Sequence, residues 1–289
     1  MMNKLFLAIA IVLLYSFSTA ATAQDGTDLY NSAKEAYADA DYSKAIDLAK
    51  ESASQGSSEA MILLGDIYLA GNGIPQPDPQ EALNWYMAAD AQDNHVAQYK
   101  IGNMYYDGHG VNQSFPDAAA WFEKAANGGN VDAQSELGLM YFRGRGIPRN
   151  YELAFKWFSM AAEQNDARAM CYLGGMYNNN NMGVKTNTLK AAEYWRKSAE
   201  LGYPEAEFYL GQMYMVGRGG IARNADSAMI WINKAAIDGN AGAQYYLGES
   251  ALRRNDMENA KAWFEKAAGQ GHAKAQQQLD NINSVSGQN

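Results

Sequence analysis

Apolar side chains recur along this chain at intervals of three and four, the period of a helix with one face turned inward. The clearest anchor is a large aliphatic residue followed by glycine: Leu64-Gly65, Ile101-Gly102, Leu137-Gly138, Leu173-Gly174, Leu210-Gly211 and Leu247-Gly248. Four residues before each aliphatic stands an alanine (Ala60, Ala97, Ala133, Ala169, Ala206, Ala243). Four after it stands a tyrosine (Tyr68, Tyr105, Tyr141, Tyr177, Tyr214), replaced by Ala251 in the last copy. That stripe predicts a helix, A. Each tryptophan (Trp85, Trp121, Trp157, Trp195, Trp231, Trp263) has an alanine three before and four after it, as in Ala118-Trp121-Ala125. That stripe predicts a second helix, B.

The aliphatic-glycine pairs are 37, 36, 36, 37 and 37 residues apart. From aliphatic to tryptophan the distance is 21, 20, 20, 22, 21 and 16; from tryptophan to the next aliphatic, counting Leu279, it is 16, 16, 16, 15, 16 and 16. The step from B to the next A is nearly fixed, whereas the step from A to B varies. This predicts a stack in which each repeat packs on its neighbour and variable loops emerge at one edge. Glycine costs a helix about 1 kcal/mol against alanine, so the glycine of each pair makes sense where a neighbouring helix or a tryptophan ring comes close. The A-to-B loops carry Gly71-x-Gly73-Ile74, Gly108-x-Gly110-Val111, Gly144-x-Gly146-Ile147 and Gly217-x-Gly219-Gly220-Ile221. Glycine there ends helix A through a left-handed backbone, and the following Ile or Val is expected in the core. A phosphate-binding reading of G-x-G needs a preceding strand in a βαβ unit, which the pattern lacks.

The run Val131-Asp132-Ala133-Gln134-Ser135-Glu136-Leu137-Gly138-Leu139-Met140-Tyr141, followed by Gly144-x-Gly146-Ile147 and Ala154-x-x-Trp157-Phe158-x-x-Ala161-Ala162, resembles the Sel-one-like repeat (SLR) family of the tetratricopeptide superfamily. The resemblance implies an all-α, right-handed helical-repeat solenoid of antiparallel helix pairs. It covers six repeats over 58–272 (58–94, 95–130, 131–166, 167–203, 204–240, 241–272). Residues 24–57 read as an N-terminal tetratricopeptide-like pair, and 273–289 as a polar capping helix, Ala273 to Asn283, with a frayed tail. Two places depart from the pattern. Asn178-Asn179-Asn180-Asn181-Met182-Gly183 replaces the fourth G-x-G loop, and Arg253-Arg254-Asn255-Asp256 shortens the sixth.

The first residues change the setting. Lys4, the apolar run Leu5 to Phe17 and the end Ala21-x-Ala23 read as a secretory leader over 1–23, cleaved before Gln24. The run is short for a membrane span, which needs about 20 residues, so no transmembrane anchor is expected in the mature chain. The formal net charge is −9, and loss of Lys4 makes the mature chain one unit more negative. An acidic chain without a basic block is a poor partner for nucleic acid. The single cysteine, Cys171, excludes an internal disulfide. It lies on helix A without a basic neighbour, a thiol rather than a nucleophile. His95, His109 and His272 fall at different repeat positions and predict neither a metal site nor a catalytic triad. No catalytic residue, cofactor or metal is expected.

The remaining candidate is a groove along the A helices. Positions two before the aliphatic, and two and five after it, lie off the core stripe. Expected there as partner-binding residues are Ile62, Asp66, Tyr99, Asn103, Tyr106, Leu139, Phe142, Phe208, Gln212, Met215, Tyr245 and Glu249. The main anchorage is expected around Tyr99–Tyr106 and around Phe208–Tyr245, and little from the fourth repeat with Cys171, Gly175 and Asn178. Tyr99, Phe208 and Tyr245 have a plainer reading as packing against the next helix. The reading is a monomeric, non-catalytic protein-binding adaptor of the Gram-negative periplasm, whose partner is a cell-envelope protein or peptide on the concave face. Its rivals are a secreted factor acting on another cell and a cell-wall hydrolase.

Overall fold

The computed structural model describes residues 26–286. The leader read over 1–23 and its cleavage before Gln24 lie outside them. Among the described residues the secondary structure is helical throughout, with no strand. The described residues form two compact units, 26–140 with 144–148, and 141–143 with 149–286.

Unit 1 holds α1 (26–38), α2 (Tyr42–Ser54), α3 (Ser58–Ala70), α4 (Pro79–Asp90), α5 (His95–Asp107), α6 (Phe115–Asn127) and most of α7 (Val131–Arg143). Unit 2 holds the last turn of α7, then α8 (Tyr151–Glu163), α9 (Ala167–Asn178), α10 (Thr188–Glu200), α11 (Pro204–Val216), α12 (Ala225–Ile237), α13 (Ala241–Arg253), α14 (Met257–Gly269) and α15 (Ala273–Ser286). The A helices are α3, α5, α7, α9, α11 and α13. Packing is chiefly between helices consecutive in the chain, both within a pair (α3 on α4, α5 on α6, α11 on α12) and between pairs (α4 on α5, α10 on α11, α12 on α13). The A-helix alanines and aliphatics of the stripe are buried, among them Ala60, Leu64, Ala97, Ile101, Ala206 and Leu210.

Gly65, Gly102, Gly174, Gly211 and Gly248 each lie against a side chain of their own helix B, but outside the fourth repeat it is not the tryptophan expected. A Cβ built on Gly102 would lie 2.6 Å from the Phe122 ring, and one on Gly248 2.6 Å from Phe264. On Gly211 it would meet Ile232 at 2.7 Å. These are the residues after the tryptophans, and Trp85, Trp121, Trp231 and Trp263 are only half-buried. In the fourth repeat Trp195 itself fills the gap beside Gly174 and donates from Nε1 to the Cys171 carbonyl at 3.1 Å. There Tyr194 stands in the tryptophan's place. The one-residue slip explains why that repeat alone has spacings of 22 and 15.

Helices α3, α5, α7 and α11 end on Gly71, Gly108, Gly144 and Gly217, all left-handed, as their loops predict. In the Asn-rich loop α9 ends on Asn179 in an extended conformation instead. Of the loop aliphatics Ile221 is buried, while Ile74, Val111 and Ile147 are half-buried. Helix α15 runs on to Ser286, past the expected end at Asn283, because Ala275, Leu279 and Ile282 form one apolar face on the core beside α14.

Candidate functional site

The turns from each B helix to the next A helix share one construction. A residue with positive φ (Gly56, Asp93, Gly129, Asn165, Gly202, Gly239, Gly271) precedes the residue that opens the helix. At six of the seven turns that opening side chain accepts a backbone N–H three residues on: Ser57, Asn94, Asn130, Asp166, Asn240 and His272. The exception is Tyr203, which makes no side-chain cap. Capping is worth typically about 1 kcal/mol, so this turn gives up stability that its counterparts keep.

A second polar device, absent from the sequence reading, sits three residues before the aliphatic. Gln134 Nε2 donates to the Ala126 carbonyl at 3.2 Å, and Gln244 Nε2 to the Ala236 carbonyl at 3.0 Å. Gln98 donates to Asp90 and Asp93, each at 2.9 Å. In α11 the position is Glu207, fully buried and paired with Lys234. Burial raises its carboxyl above the ordinary range against the pull of Lys234.

Unit 1 has a polar depression of about 370 Å³ between α3 and α5, lined by Asp66, Leu69, Tyr86, Lys100, Asn103 and His109 among others. The Asp66 carboxylate at its floor is met from two sides. Tyr86 donates from Oη to Asp66 Oδ1 at 2.6 Å, and Lys100 Nζ lies 2.7 Å from the same oxygen. Burial and the bond to Asp66 hold the Tyr86 phenol far above its usual range.

Unit 2 has two depressions that meet at Gly175 and Tyr209. The larger, about 470 Å³, is lined by Gly175, Asn178, Trp195, Tyr209, Gln212, Met215 and Arg218 among others. The Asn178 Oδ1 is buried without a hydrogen-bond partner. The smaller, about 260 Å³, lies among Phe142, Cys171, Tyr172, Gly175, Met182, Tyr203, Glu205 and Tyr209. A Cβ on Gly175 would meet nothing within 4 Å, so this glycine leaves an open floor. Trp195 stacks on Tyr209 at 4.9 Å, and Phe158 on Tyr172 at 4.9 Å. Burial first, then the Glu205 charge, pushes the buried Cys171 thiol up to about 12 and also raises the Tyr203 phenol. At that value the thiol is neutral at neutral pH, in keeping with an unreactive cysteine.

The predicted partner-binding residues divide. Asp66 and Asn103 line the unit 1 depression, and Gln212 and Met215 the larger one of unit 2. Phe142 lines the smaller, packed on Tyr172 at 5.2 Å and Tyr151 at 5.5 Å. Several others are turned against their neighbours. Tyr99 lies 5.7 Å from Phe122, and Ile62 packs on the core beside Tyr86. Tyr106 packs edge-to-face with Phe115 at 5.1 Å, and the Arg145 guanidinium lies over both rings. Phe208 packs on the core that holds Ile232. Tyr245 stacks on His272 at 4.7 Å and donates to Glu249 Oε1 at 3.2 Å, which Gln278 also reaches at 2.9 Å. Leu139 is half-buried. The fourth repeat, expected to offer little, borders both unit 2 depressions, and Tyr172, Tyr203 and Tyr209 were missed. Their signal in the sequence is an aromatic one residue before the aliphatic in α9 and α11, and a tyrosine where other turns have Asn, Asp or Ser.

Among the described residues no group of three or more His, Cys, Asp or Glu side chains could hold a metal ion. No helix there is long and apolar enough to cross a membrane. The Sel1 repeat family model matches residues 29–57, 58–92, 95–130, 131–166, 167–203, 204–240 and 241–272. Among solved structures, the chain is similar to a protective antigen present in uropathogenic Escherichia coli strains that displays an SLR fold. The two are 33% identical over 82% of this chain and 51% of that one, with a TM-score of 0.71. It is similar also to a Sel1 repeat protein from Oxalobacter formigenes, at 29% identity over 83% of this chain and 96% of the other, with a TM-score of 0.75. The chain thus spans about half the length of the first and nearly all of the second. No curated protein matches the chain.

Proposed function

The chain belongs to the Sel1 repeat family, and from that premise we propose that it is a non-catalytic adaptor of the periplasm that holds an envelope protein, or an exposed peptide segment of one, on its A-helix face. Sel1 and tetratricopeptide-like repeat proteins generally mediate protein–protein interactions and are typically non-catalytic scaffolds. The observation that carries the reading is that each unit leaves a depression at its A helices, lined by rings and side-chain amides that include Asn103 and Gln212. Rings anchor apolar side chains of a partner, and amides pair with its backbone. The leader-like first residues support export.

The test is cross-linked affinity capture from the envelope of the producing cell, comparing the full chain with an Asn103→Arg/Gln212→Arg variant of unchanged melting temperature. A partner retained by the first and lost by the second is the expected result. Equal capture by both moves the site off this face. Mass spectrometry of the cell fractions adds a second readout: a periplasmic chain starting at Gln24 is expected, and a cytoplasmic chain that keeps its leader overturns the export. The Escherichia coli neighbour's description as a protective antigen favours a second reading, a factor released or displayed outside the cell. Recovery of the chain from culture medium without lysis would select it.

A further inference from the structure

Three departures from the repeat pattern converge on the smaller depression of unit 2. Tyr203 replaces a capping Asn, Asp or Ser and lines the pocket. Gly175 stands where the other A helices carry Asp66, Asn103, Leu139, Gln212 or Glu249, and leaves the floor open. The Asn-rich loop that replaces a G-x-G turn brings Met182 to the wall. A chain that breaks its local rules together at one place, and gives up a helix cap there, marks a functional rather than an architectural position.

The walls define the ligand. Phe142, Tyr172, Tyr203 and Tyr209 surround the space, and Glu205 is the one carboxylate among the lining residues. One face of Tyr172 is covered by Phe158 and one face of Tyr209 by Trp195, and Phe142 stands at a steep angle to Tyr172 at 5.2 Å. Ring faces attract cations. Elsewhere the chain supplies its own, as with Lys100 over Tyr86, Lys156 over Trp157 and Lys190 over Tyr177. Among the described residues no such pair involves the four pocket rings. Two arginines stand near: Arg143 donates to the Tyr172 hydroxyl at 3.1 Å, and Arg168 acts on the Tyr203 phenol. Glu205 opposes them, and its charge reaches Cys171, Tyr203 and Tyr209. An anion at the start of α11 finds little to bind. Pro204 has no N–H, those of Ala206 and Glu207 go to the Tyr203 carbonyl, and Glu205 repels it.

We infer that this pocket binds a small soluble organic cation bearing a quaternary ammonium group. A primary ammonium brings three N–H donors and a guanidinium five, and a wall of rings, thioether and thiol would leave most of them unpaired. A trimethylammonium group has no donor to satisfy and fits an apolar cage closed by one carboxylate. This site is independent of the adaptor reading.

The experiment is calorimetric titration of the full chain with choline and with tetramethylammonium. The controls are the neutral carbon isostere 3,3-dimethylbutanol, sodium acetate, and phosphatidylcholine vesicles. Saturable binding of both cations with Kd of about 1 mM or tighter is expected, with the isostere at least roughly tenfold weaker. Tyr209→Ala is expected to lose roughly tenfold. Glu205→Gln weakens binding by a smaller factor at unchanged melting temperature. Tyr203→Asn is the sharpest variant: it restores the missing cap and removes a wall, so melting temperature rises while choline binding falls. No saturable cation binding, equal binding of the isostere, preference for acetate, or vesicle binding that choline does not compete would each overturn the inference. So would a Tyr203→Asn protein that binds choline like the parent.

Discussion

The depressions around Asp66 in unit 1 and around Gly175 in unit 2 occupy the same register of the repeat, yet the floor of one is polar and paired within itself and the floor of the other is bare. Position by position, Asp66 corresponds to Gly175, Tyr86 to Trp195, Lys100 to Tyr209, Asn103 to Gln212 and Met104 to Met213. In unit 1 a carboxylate, a phenol and an ammonium satisfy one another across the gap. In unit 2 the carboxylate is a glycine, the ammonium is a tyrosine 39% exposed, and an indole stacks beneath it. The backbone framework fixes where a depression falls, and three substitutions decide whether its floor carries a paired polar cluster or bare rings.

The largest effect comes from the floor that both places share, the aliphatic-glycine pair under a B-helix ring. Gly102→Leu forces a side chain into the Phe122 ring and is expected to cost about 1–3 kcal/mol by denaturant unfolding. An unchanged midpoint would show that the two helices separate freely, and the comparison would lose its common frame. Next is the internal closure of unit 1. Asp66→Leu leaves the phenol of Tyr86, a residue 1% exposed, without its acceptor, and a loss of about 1–2 kcal/mol is expected from the same curve. Lys100 is partly exposed and can turn to solvent, so its share is small. In the opposite direction, Gly175→Ala meets open space and removes a helical glycine, so a gain of up to about 1 kcal/mol is expected. A loss would mean that a neighbour closes over Gly175 in solution. The finest effect concerns Cys171. Burial raises its folded pKa from an ordinary 9.0 to about 12, so the neutral thiol contributes stability in full below pH 9, and that contribution falls as pH rises towards 12. Alkylation at pH 8 should therefore track unfolding. Rapid labelling of the native chain would contradict the closed setting.

Much of the fold was legible because one period repeats six times. Ala60, Leu64 and Tyr68 of the A stripe, and Gly71 at its end, stand where spacing puts them. Four of the tryptophans misled because half-burial suits so large a ring, and the residue after each of these four packs against the glycine instead, as Phe122 does on Gly102. The slip at Trp195 was visible as a step of 15 among steps of 16, which only the pairing of Trp195 with Gly174 turns into a register change. The candidate site was less legible for two reasons. Spacing weighs groove positions one at a time, where Gly175 offers no anchorage, whereas a missing side chain is what makes a concavity. Its walls also come from elsewhere in the chain, Tyr203 from a turn and Met182 from a loop, and helical spacing does not bring these together.

The reliance of each helix on its neighbour in the chain also bears on how the molecule acquires its structure. Partners separated by a single turn or loop have little entropy to lose in finding one another, so folding is expected to be fast and to begin at any well-packed pair. A chain delivered N-terminus first gives every new helix a surface already in place, since α4 arrives to find α3 and α11 to find α10. The slowest joint should then be the turn at Tyr203, where the helix that must start has no side chain to start it.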